Sequence, residues 1–398
     1  MNMETAIAKR QRRQFGDYVA RSKKGPISEW FWEIDRVLLL LVTILISIGL
    51  IAVAAASPAA ADRYSNEMRQ YGELYYFYRQ LMWLAMALPA MLIVSTMPKE
   101  LAKRFALGGA VCFFILLLFV PFLGIEKNGA MRWIGYGAAT LQPSEFLKPF
   151  FFVACAWLLS LRITQDPTLP VVAATAILTG VIGLLLMRQP DFGQTVIFGS
   201  VWIVMLMISG VSHKMLGLLS FGAISGFAAA YLFYPVATTR INAFLFAEGD
   251  TYQVENAMRT LTNGGVFGTG PGDGQMKYDL PEPHTDYIFS VIGEEFGLIA
   301  CLAVVLLFAA IVVRVFVKLL HEENVFYILA AAGLATQFAV QALINIAVNL
   351  NMAPSKGMTL PFISYGGSSL IALSIGFGLL LAFTRRNPHL AAPDRRAP

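Results

Sequence analysis

Asp286 is the residue of this 398-residue chain that is best placed to do chemistry. It follows the polar run Glu282 to Thr285 and precedes a long apolar segment, which places it where a loop becomes a helix. No Lys or Arg lies within one helical turn of it, so an ion pair along its own helix does not account for it. A carboxylate beside an apolar segment is costly to bury, so an ionisable residue there indicates a functional site. We therefore predict a functional role for Asp286.

Further ionisable and hydroxyl residues lie in short polar stretches between other apolar segments. They are Arg132, Glu145, Lys148, Asp191, Ser355 and Lys356. Loops that join different pairs of helices can deliver such groups to one face of a membrane, where they line a polar cleft. Glu145 and Lys148 are three residues apart and can pair on one helix face, so structural and substrate-binding roles both stay open for them.

Other polar residues have plainer explanations. Gln337, Gln341 and Asn345 recur on one helix face, where amides commonly hydrogen-bond helices together. His284 serves either as a capping or packing residue or as a catalyst, and the 4 histidines form no metal-ligand pattern. The glycine-rich run from Gly264 to Gly274 follows no strand and lacks a closing Lys-Ser/Thr pair, so it indicates a flexible backbone rather than a phosphate-binding loop.

The composition places these residues in a membrane protein. The chain is 57% hydrophobic and only 14% charged, whereas soluble globular proteins carry about 25% charged residues. The apolar residues fall in blocks of about 20, the length of a helix that crosses a bilayer. The predicted fold class is an all-α polytopic membrane helical bundle of about ten spans. We place these spans near residues 37–56, 79–97, 105–123, 145–161, 169–187, 195–210, 215–234, 287–313, 325–349 and 364–383.

The basic residues orient this bundle. Most of the 30 Lys and Arg residues lie in the two tails and in alternate connections, which predicts that both termini are cytoplasmic. The net charge of +5 therefore reflects topology and does not indicate a nucleic-acid partner. The predicted organisation is a basic cytoplasmic tail (1–36), a transmembrane domain (37–383) with one large periplasmic loop between spans seven and eight (235–285), and a cytoplasmic C-terminal tail (384–398).

Two extramembrane segments have a predictable character. The tail from Met1 to Ser28 is basic and poor in apolar residues, so we expect it to be disordered and close to anionic lipid headgroups. Within the periplasmic loop, the pattern from Tyr252 to Leu261 predicts an amphipathic helix.

Several motifs in the polar stretches carry a resemblance to the SEDS family. They are NGAMRWI (128–134), QPSEFLK (142–148), QPDFGQT (189–195), LPEPHTDYIF (280–289), GEEFG (293–297) and PSKGMTLPFISYGGSS (354–369). The matches follow the order expected for the family from residue 35 to residue 385. The run SKGMTLP and the long basic tail resemble the cell-division branch of this family.

The resemblance implies a peptidoglycan glycosyltransferase that polymerises lipid II into β-1,4 glycan strands during septal cell-wall synthesis. Asp286 matches the family's catalytic aspartate and would be the general base of an inverting transfer, with undecaprenyl diphosphate as leaving group. The residues expected to bind substrate are Arg132, Glu145, Lys148, Asp191, Glu282, His284, Ser355 and Lys356.

The leaving diphosphate needs positive charge, which Arg132, Lys148 and Lys356 would supply. A divalent cation such as Mg²⁺ or Mn²⁺ would help in the same way, although the sequence shows no dedicated metal cage. In the family, activity depends on a class B penicillin-binding protein, so the expected partners are a transpeptidase of the FtsI type and divisome regulators. The expected location is the division septum of the bacterial inner membrane.

Two other functions stay open at this point. A lipid II flippase would use the same polar cleft to move the head group across the bilayer, and alternating access favours inverted repeats and interrupted helices near the midplane. A non-catalytic scaffold would only anchor the transpeptidase of the divisome. The charged residues favour the outer rim of the bundle, which is where an enzyme acting on lipid II needs them.

Overall fold

Ten apolar helices account for the predicted spans. The structure, a computed structural model, describes residues 26–127, 130–136, 139–246, 252–355 and 357–385. Within these residues, 9 helices are long and apolar enough to cross a membrane, and one further apolar helix has 17 residues. In chain order the helices are α1 (Pro26–Glu33), α2 (Arg36–Tyr64), α3 (Tyr75–Thr96), α4 (Lys99–Leu123), α5 (Pro143–Thr164), α6 (Val171–Arg188), α7 (Phe192–Ile208, the shorter one), α8 (His213–Phe233), α9 (Pro235–Phe246), α10 (Tyr252–Asn263), α11 (Ile288–Leu319), α12 (Val325–Asn349) and α13 (Gly367–Thr384).

The segment predicted as one large loop, residues 235–285, contains regular structure. Helix α9 begins directly after α8, and α10 confirms the helix predicted from Tyr252 to Leu261. A 3₁₀ turn at Met276–Asp279 precedes the junction at Asp286. Most of the tail predicted to be disordered lies outside the described residues, which begin with α1, and so do residues 386–398 of the C-terminal tail.

A small antiparallel sheet between α4 and α5 departs from the predicted all-α fold. Its strands are β1 (Ile125–Lys127), β2 (Ala130–Tyr136) and β3 (Ala139–Leu141), and β2 pairs with both of the others. Strands of three residues are too short to show a clear alternating pattern, so the sequence indicated only a polar connection here. Strand β2 carries Arg132, one of the residues predicted to bind substrate.

Helices α5, α12 and α13 lie at the centre of the compact unit formed by Val37–Thr384. Helix α5 packs against α4 and α12, and α13 packs against α3. The buried share of the spanning residues is 67% in α5, 67% in α12 and 72% in α13, against 0% in α8. Neighbouring helices offer hydrogen-bond partners that lipid does not. The central helices can therefore carry polar side chains.

Helix α11 reverses its direction at Gly297, which has φ 78° and ψ −178°. The carbonyl oxygen of Phe289 lies 4.0 Å from Sγ of Cys301, whereas twelve residues of straight helix would separate them by about 18 Å. Residues 288–296 therefore form a short arm that packs along the beginning of residues 298–319. The second part has the length of about 33 Å that crossing a membrane requires. The eighth span, predicted as one straight helix over residues 287–313, begins only after Gly297.

Gly49 on α2 permits close packing of this helix against the segment before α13. A Cβ atom at Gly49 would lie 2.4 Å from the carbonyl oxygen of Phe362 and 2.7 Å from Cα of Ile363. These backbone atoms cannot rotate away, so we expect Gly49→Ala to lower the free energy of unfolding by about 1–3 kcal/mol. Thermal unfolding of the purified protein in detergent measures the effect.

The matched control is Gly180→Ala on α6. No atom of another element or side chain lies within 4 Å of the Cβ position of Gly180, and alanine has the higher helix propensity. This variant should keep or raise the unfolding temperature. Equal unfolding temperatures for the two variants would contradict the close packing of α2.

Candidate active site

The main chain of Asp286 is fixed by two amides from α12. Asn345 and Asn349 both donate from Nδ2 to the carbonyl oxygen of Asp286, at 2.9 and 3.0 Å. The Oδ1 atom of Asn349 accepts from the backbone N and the hydroxyl of Ser290, at 3.1 and 2.8 Å. The two asparagines are four residues apart and so share one face of α12. The junction between the loop and α11 is therefore held by polar contacts inside the bundle.

The carboxyl group of Asp286 has no ion pair among the described residues, since none of their Lys or Arg nitrogens lies within 4.0 Å of it. Protein surrounds the carboxyl closely, and this burial raises its pKa to about 8. The negative charge of Glu282 adds to the increase, while Arg240 and Arg132 oppose it. At pH 7 the protonated carboxyl therefore predominates, and a smaller fraction of the molecules carries the basic carboxylate.

The segment before α13 passes close to this carboxyl. A Cβ atom at Gly357 would lie 3.0 Å from Oδ2 of Asp286. Ser355, two residues earlier, is half-buried, whereas Lys356 lies outside the described residues. The substrate-binding roles of Ser355 and Lys356 stay predictions.

Hydrogen bonds join this segment to the residues before Asp286. The hydroxyl of Ser364 donates to the carbonyl oxygen of Thr285 at 2.6 Å and accepts from the backbone N of Leu360 at 2.7 Å. The backbone N of Tyr365 donates to the carbonyl oxygen of His284 at 2.9 Å. Two motifs that are distant in sequence thus form one rigid wall beside Asp286.

Glu282 occupies the rim of this wall. Its carboxylate accepts from the hydroxyl of Tyr64 at 2.6 Å and from the hydroxyl of Thr285 at 2.8 Å. Because a carboxylate can accept about four hydrogen bonds, Glu282 keeps the capacity to bind a sugar hydroxyl. Its predicted role in substrate binding is compatible with this geometry and stays a prediction.

His284 is buried within a cluster of tyrosine rings. Its ring centroid lies 4.2 Å from that of Tyr76, 5.3 Å from that of Tyr365 and 6.1 Å from that of Tyr64. Burial lowers its pKa to about 3, so the imidazole is neutral. This placement favours the packing role over the catalytic one, and a direct contact between His284 and substrate stays a prediction.

Glu145 and Lys148 form the ion pair predicted from their spacing, and both are buried. Nζ of Lys148 lies 2.9 Å from Oε2 of Glu145 and donates to Oε1 of Gln341 at 3.1 Å. Glu145 also accepts from Nε2 of Gln194, and Nε2 of Gln341 donates to the carbonyl oxygen of Thr359 at 3.1 Å. The pair therefore connects α5, α7 and α12 with the segment that passes Asp286.

Arg132 reaches from β2 to the connection between α6 and α7. Its Nε donates to the carbonyl oxygen of Gln189 at 2.8 Å, Nη2 donates to that of Pro190, and Nη1 lies 3.9 Å from Oδ2 of Asp191. Asp191 also accepts from Nε2 of Gln142 at 3.2 Å. Burial raises the pKa of Asp191, and Arg132 opposes this effect. Arg132 is thus oriented before any ligand arrives.

Arg240 and Tyr234 also lie in this region, although neither was among the residues predicted to form the site. Arg240 on α9 interacts electrostatically with both Asp286 and Tyr234. The hydroxyl of Tyr234 is buried without a hydrogen-bond partner among the described residues. Arg240 could have been suspected as an isolated cation at the start of the outer loop, but the sequence does not show which way the short helix α9 turns it.

A dedicated metal cage is absent from the part of the chain that the structure describes, where no three or more His, Cys, Asp or Glu residues are grouped to hold an ion. Mg²⁺ is often bound through one or two carboxylates together with substrate phosphates, so this finding leaves cation dependence as a matter for experiment.

Comparisons with known proteins agree with the motifs. A family model described as cell cycle protein, FtsW/RodA/SpoVE, matches residues 35–389. The chain is 37% identical over 374 residues to a probable peptidoglycan glycosyltransferase FtsW of Caulobacter vibrioides, which covers 93% of this chain and 94% of that protein. It is 32% identical over 360 residues to stage V sporulation protein E of Bacillus subtilis, covering 88% and 97% of the two chains.

Solved structures show the same architecture. One match, with a TM-score of 0.71 and 26% identity, covers 88% of this chain and 97% of that chain. That chain comes from a structure described as structural coordination of polymerization and crosslinking by a peptidoglycan synthase complex. The rod shape determining protein RodA of Thermus thermophilus matches with a TM-score of 0.64 and 26% identity, covering 88% and 96%. The resemblance predicted from the motifs is confirmed, and the chain belongs to the FtsW/RodA/SpoVE, or SEDS, family of multi-pass membrane proteins.

Proposed function

We propose that this chain is a peptidoglycan glycosyltransferase that polymerises lipid II into β-1,4 glycan strands during septal cell-wall synthesis. The observation that carries the proposal is the placement of Asp286 at a loop-to-helix junction, where Asn345 and Asn349 hold its main chain and burial raises the pKa of its carboxyl to about 8. A base whose pKa lies near the working pH is well suited to general-base catalysis. The curated relatives named as probable peptidoglycan glycosyltransferases support the same activity.

In the proposed reaction, the 4-hydroxyl of the acceptor N-acetylglucosamine forms a bond to the anomeric carbon of the donor N-acetylmuramic acid. The bond from that carbon to the diphosphate oxygen breaks, and its electron pair leaves with undecaprenyl diphosphate. The hydroxyl proton moves to Asp286 as the new bond forms, because a sugar hydroxyl is far less acidic than a carboxylic acid. One inverting displacement turns the α-linked donor into a β-linked product without a covalent intermediate.

The leaving diphosphate is proposed to bind at Arg132 and Arg240, the two arginines that act electrostatically on Asp286. Cations that are oriented in advance stabilise the negative charge that develops on a leaving group. Arg132 meets this requirement through its hydrogen bonds to Gln189 and Pro190. Lys148 already contacts Glu145 and Gln341. In this proposal it therefore has a structural role and holds α5 and α12 together. Lys356 stays a predicted diphosphate contact.

The proposed partner is a class B penicillin-binding protein transpeptidase of the FtsI type, acting with divisome regulators. Support comes from the similar chain in a peptidoglycan synthase complex, which is described as coordinating polymerization and crosslinking. The proposed location is the division septum of the bacterial inner membrane, with both termini in the cytoplasm, as the distribution of Lys and Arg predicts.

Removing the proposed base should abolish most of the activity. We expect Asp286→Asn to slow glycan polymerisation by about 10²- to 10⁴-fold, because the amide cannot accept the proton. The measurement is the ladder of glycan strands formed from lipid II by the chain purified with its transpeptidase partner. Asp273→Asn is the matched control, since Asp273 is exposed in the same outer loop, and it should polymerise at the wild-type rate.

The same variant separates the enzyme from the two alternatives. Intact polymerisation with lost translocation of lipid II would favour the flippase. Unchanged polymerisation and translocation would favour the scaffold. Lost polymerisation in a variant that still unfolds at the wild-type temperature and binds its partner supports the proposed reaction.

The pH dependence of polymerisation should report the state of Asp286. Its pKa is raised to about 8, so the basic form is populated above this pH and lost below it. We expect kcat/KM to rise with pH and to level off above about pH 8. Because Arg240 lowers this pKa, Arg240→Met should move the rising limb to higher pH. A profile that is flat from about pH 6 to pH 9 would contradict the assignment.

Chelation tests the proposed role of a divalent cation. We propose that a divalent cation such as Mg²⁺ or Mn²⁺ would assist the departure of the diphosphate by neutralising its charge beside Arg132 and Arg240. EDTA should then suppress the glycan ladder, and excess Mg²⁺ or Mn²⁺ should restore it, while the unfolding temperature of the substrate-free protein stays unchanged. An undiminished ladder in EDTA would show that the arginines act without a metal.

A further inference from the structure

The outer loop between α10 and α11 buries an ion pair that the proposed reaction does not use. Nζ of Lys277 contacts Oε1 of Glu295, and both side chains are 0% exposed. The same ammonium group donates to the carbonyl oxygen of Gly272 at 3.4 Å, and Glu295 accepts from the backbone N of Gly272. Removing one member of a buried ion pair leaves an uncompensated charge, so separating the loop from Glu295 is energetically costly.

Glu294 provides a second connection between the loop and α11. Its carboxylate accepts from Nδ2 of Asn263 at 2.9 Å and from the backbone N atoms of Met276 and Lys277 at 2.8 and 3.0 Å. Hydrogen bonds to an ionised acceptor are stronger than those between neutral groups. Glu294 thus holds the end of α10 and the 3₁₀ turn against the same helix.

The glycines of the loop permit this contact by close backbone packing. Cβ atoms at Gly264 and Gly268 would lie 1.9 Å from the carbonyl oxygen of Gly293 and 2.2 Å from that of Glu295. The backbone N of Thr269 donates to the carbonyl oxygen of Glu294 at 2.8 Å. Absent side chains at these positions let the loop pack against the turn at Gly297, and the flexibility expected of the glycine-rich run stays a prediction.

We propose that Lys277, Glu294 and Glu295 are positioning residues for the glycosyl transfer. They fix the outer end of residues 288–296, a rigid arm about 13 Å long. Asp286 immediately precedes the inner end of this arm, which Ser290 ties to Asn349. A small rotation of the arm displaces the carboxyl, and a displacement of about 1 Å can cost 10²-fold in rate. The inference rests on the proposed function.

The first test removes the ion pair in two steps. Lys277→Met leaves Glu295 buried without its cation, so this variant should unfold at a lower temperature and lose activity. The double variant Lys277→Met/Glu295→Gln removes the uncompensated charge and should recover stability. If the pair positions Asp286, the recovered double variant keeps the wild-type KM for lipid II while its kcat stays reduced about tenfold or more. Wild-type kcat in the recovered double variant would overturn the proposal.

A second pair of variants, at exposed positions, tests the positioning role even if the variants of Lys277 and Glu295 fail to fold. Asn263→Ala removes one hydrogen bond to Glu294 from an exposed residue. Thr262→Ala is its matched control, because the exposed hydroxyl of Thr262 bonds only to the carbonyl oxygens of Met258 and Arg259 in its own helix. We expect a lower kcat for Asn263→Ala alone, with unchanged unfolding temperatures and KM for both. Equal kcat values would count against the proposal.

Failure of the inference can be distinguished from failure of the proposed function. All variants are measured beside the wild-type complex with its transpeptidase partner and beside Asp286→Asn. A wild-type complex that makes no glycan ladder would refute the glycosyltransferase itself. A normal ladder from the wild type, lost in Asp286→Asn and unchanged in the double variant and in Asn263→Ala, would refute only the positioning role.

Discussion

The site depends on surrounding one carboxyl group closely with protein, without an ion pair in contact among the described residues. Such a group normally moves toward a cation or toward solvent, because its charged form is poorly stabilised by protein alone. In this chain Asn345 and Asn349 hold the main chain of Asp286, so the backbone that carries the carboxyl stays in place. The unfavourable environment of the carboxylate is what makes Asp286 basic enough to accept a proton from a sugar.

The centre of the bundle makes this arrangement possible. Helices α5 and α12 are largely enclosed by other helices, so their amides and the pair of Glu145 and Lys148 find partners within the protein. This polar network continues through Gln341 to the segment that passes Asp286. Arg132 extends from a small sheet to the connection between α6 and α7. Lipid can therefore surround the bundle while a polar network forms inside it.

Much of the fold could be predicted, because the requirement for about 20 apolar residues per span leaves a strong pattern. Asp286 was predictable for a related reason, since an ionisable residue beside a span needs a function or a partner. The reversal at Gly297 was not, because glycine is also common inside membrane helices and apolar residues lie on both sides of the run Gly293 to Gly297. The contacts of Glu294 and Glu295 with Lys277 join residues 17 and 18 positions apart. Neither helical nor strand periodicity records such pairings, and strands as short as β3 leave no pattern either.

The most direct measurement of the central claim is a structure of the Asp286→Asn variant, in complex with its transpeptidase partner and with lipid II bound. The account predicts the residue 286 side chain within hydrogen-bonding distance, about 3 Å, of the 4-hydroxyl of the acceptor sugar. It also predicts that the donor diphosphate lies against Arg132 and Arg240. A side chain at position 286 that faces acyl chains, or that lies remote from both sugars, would contradict the account.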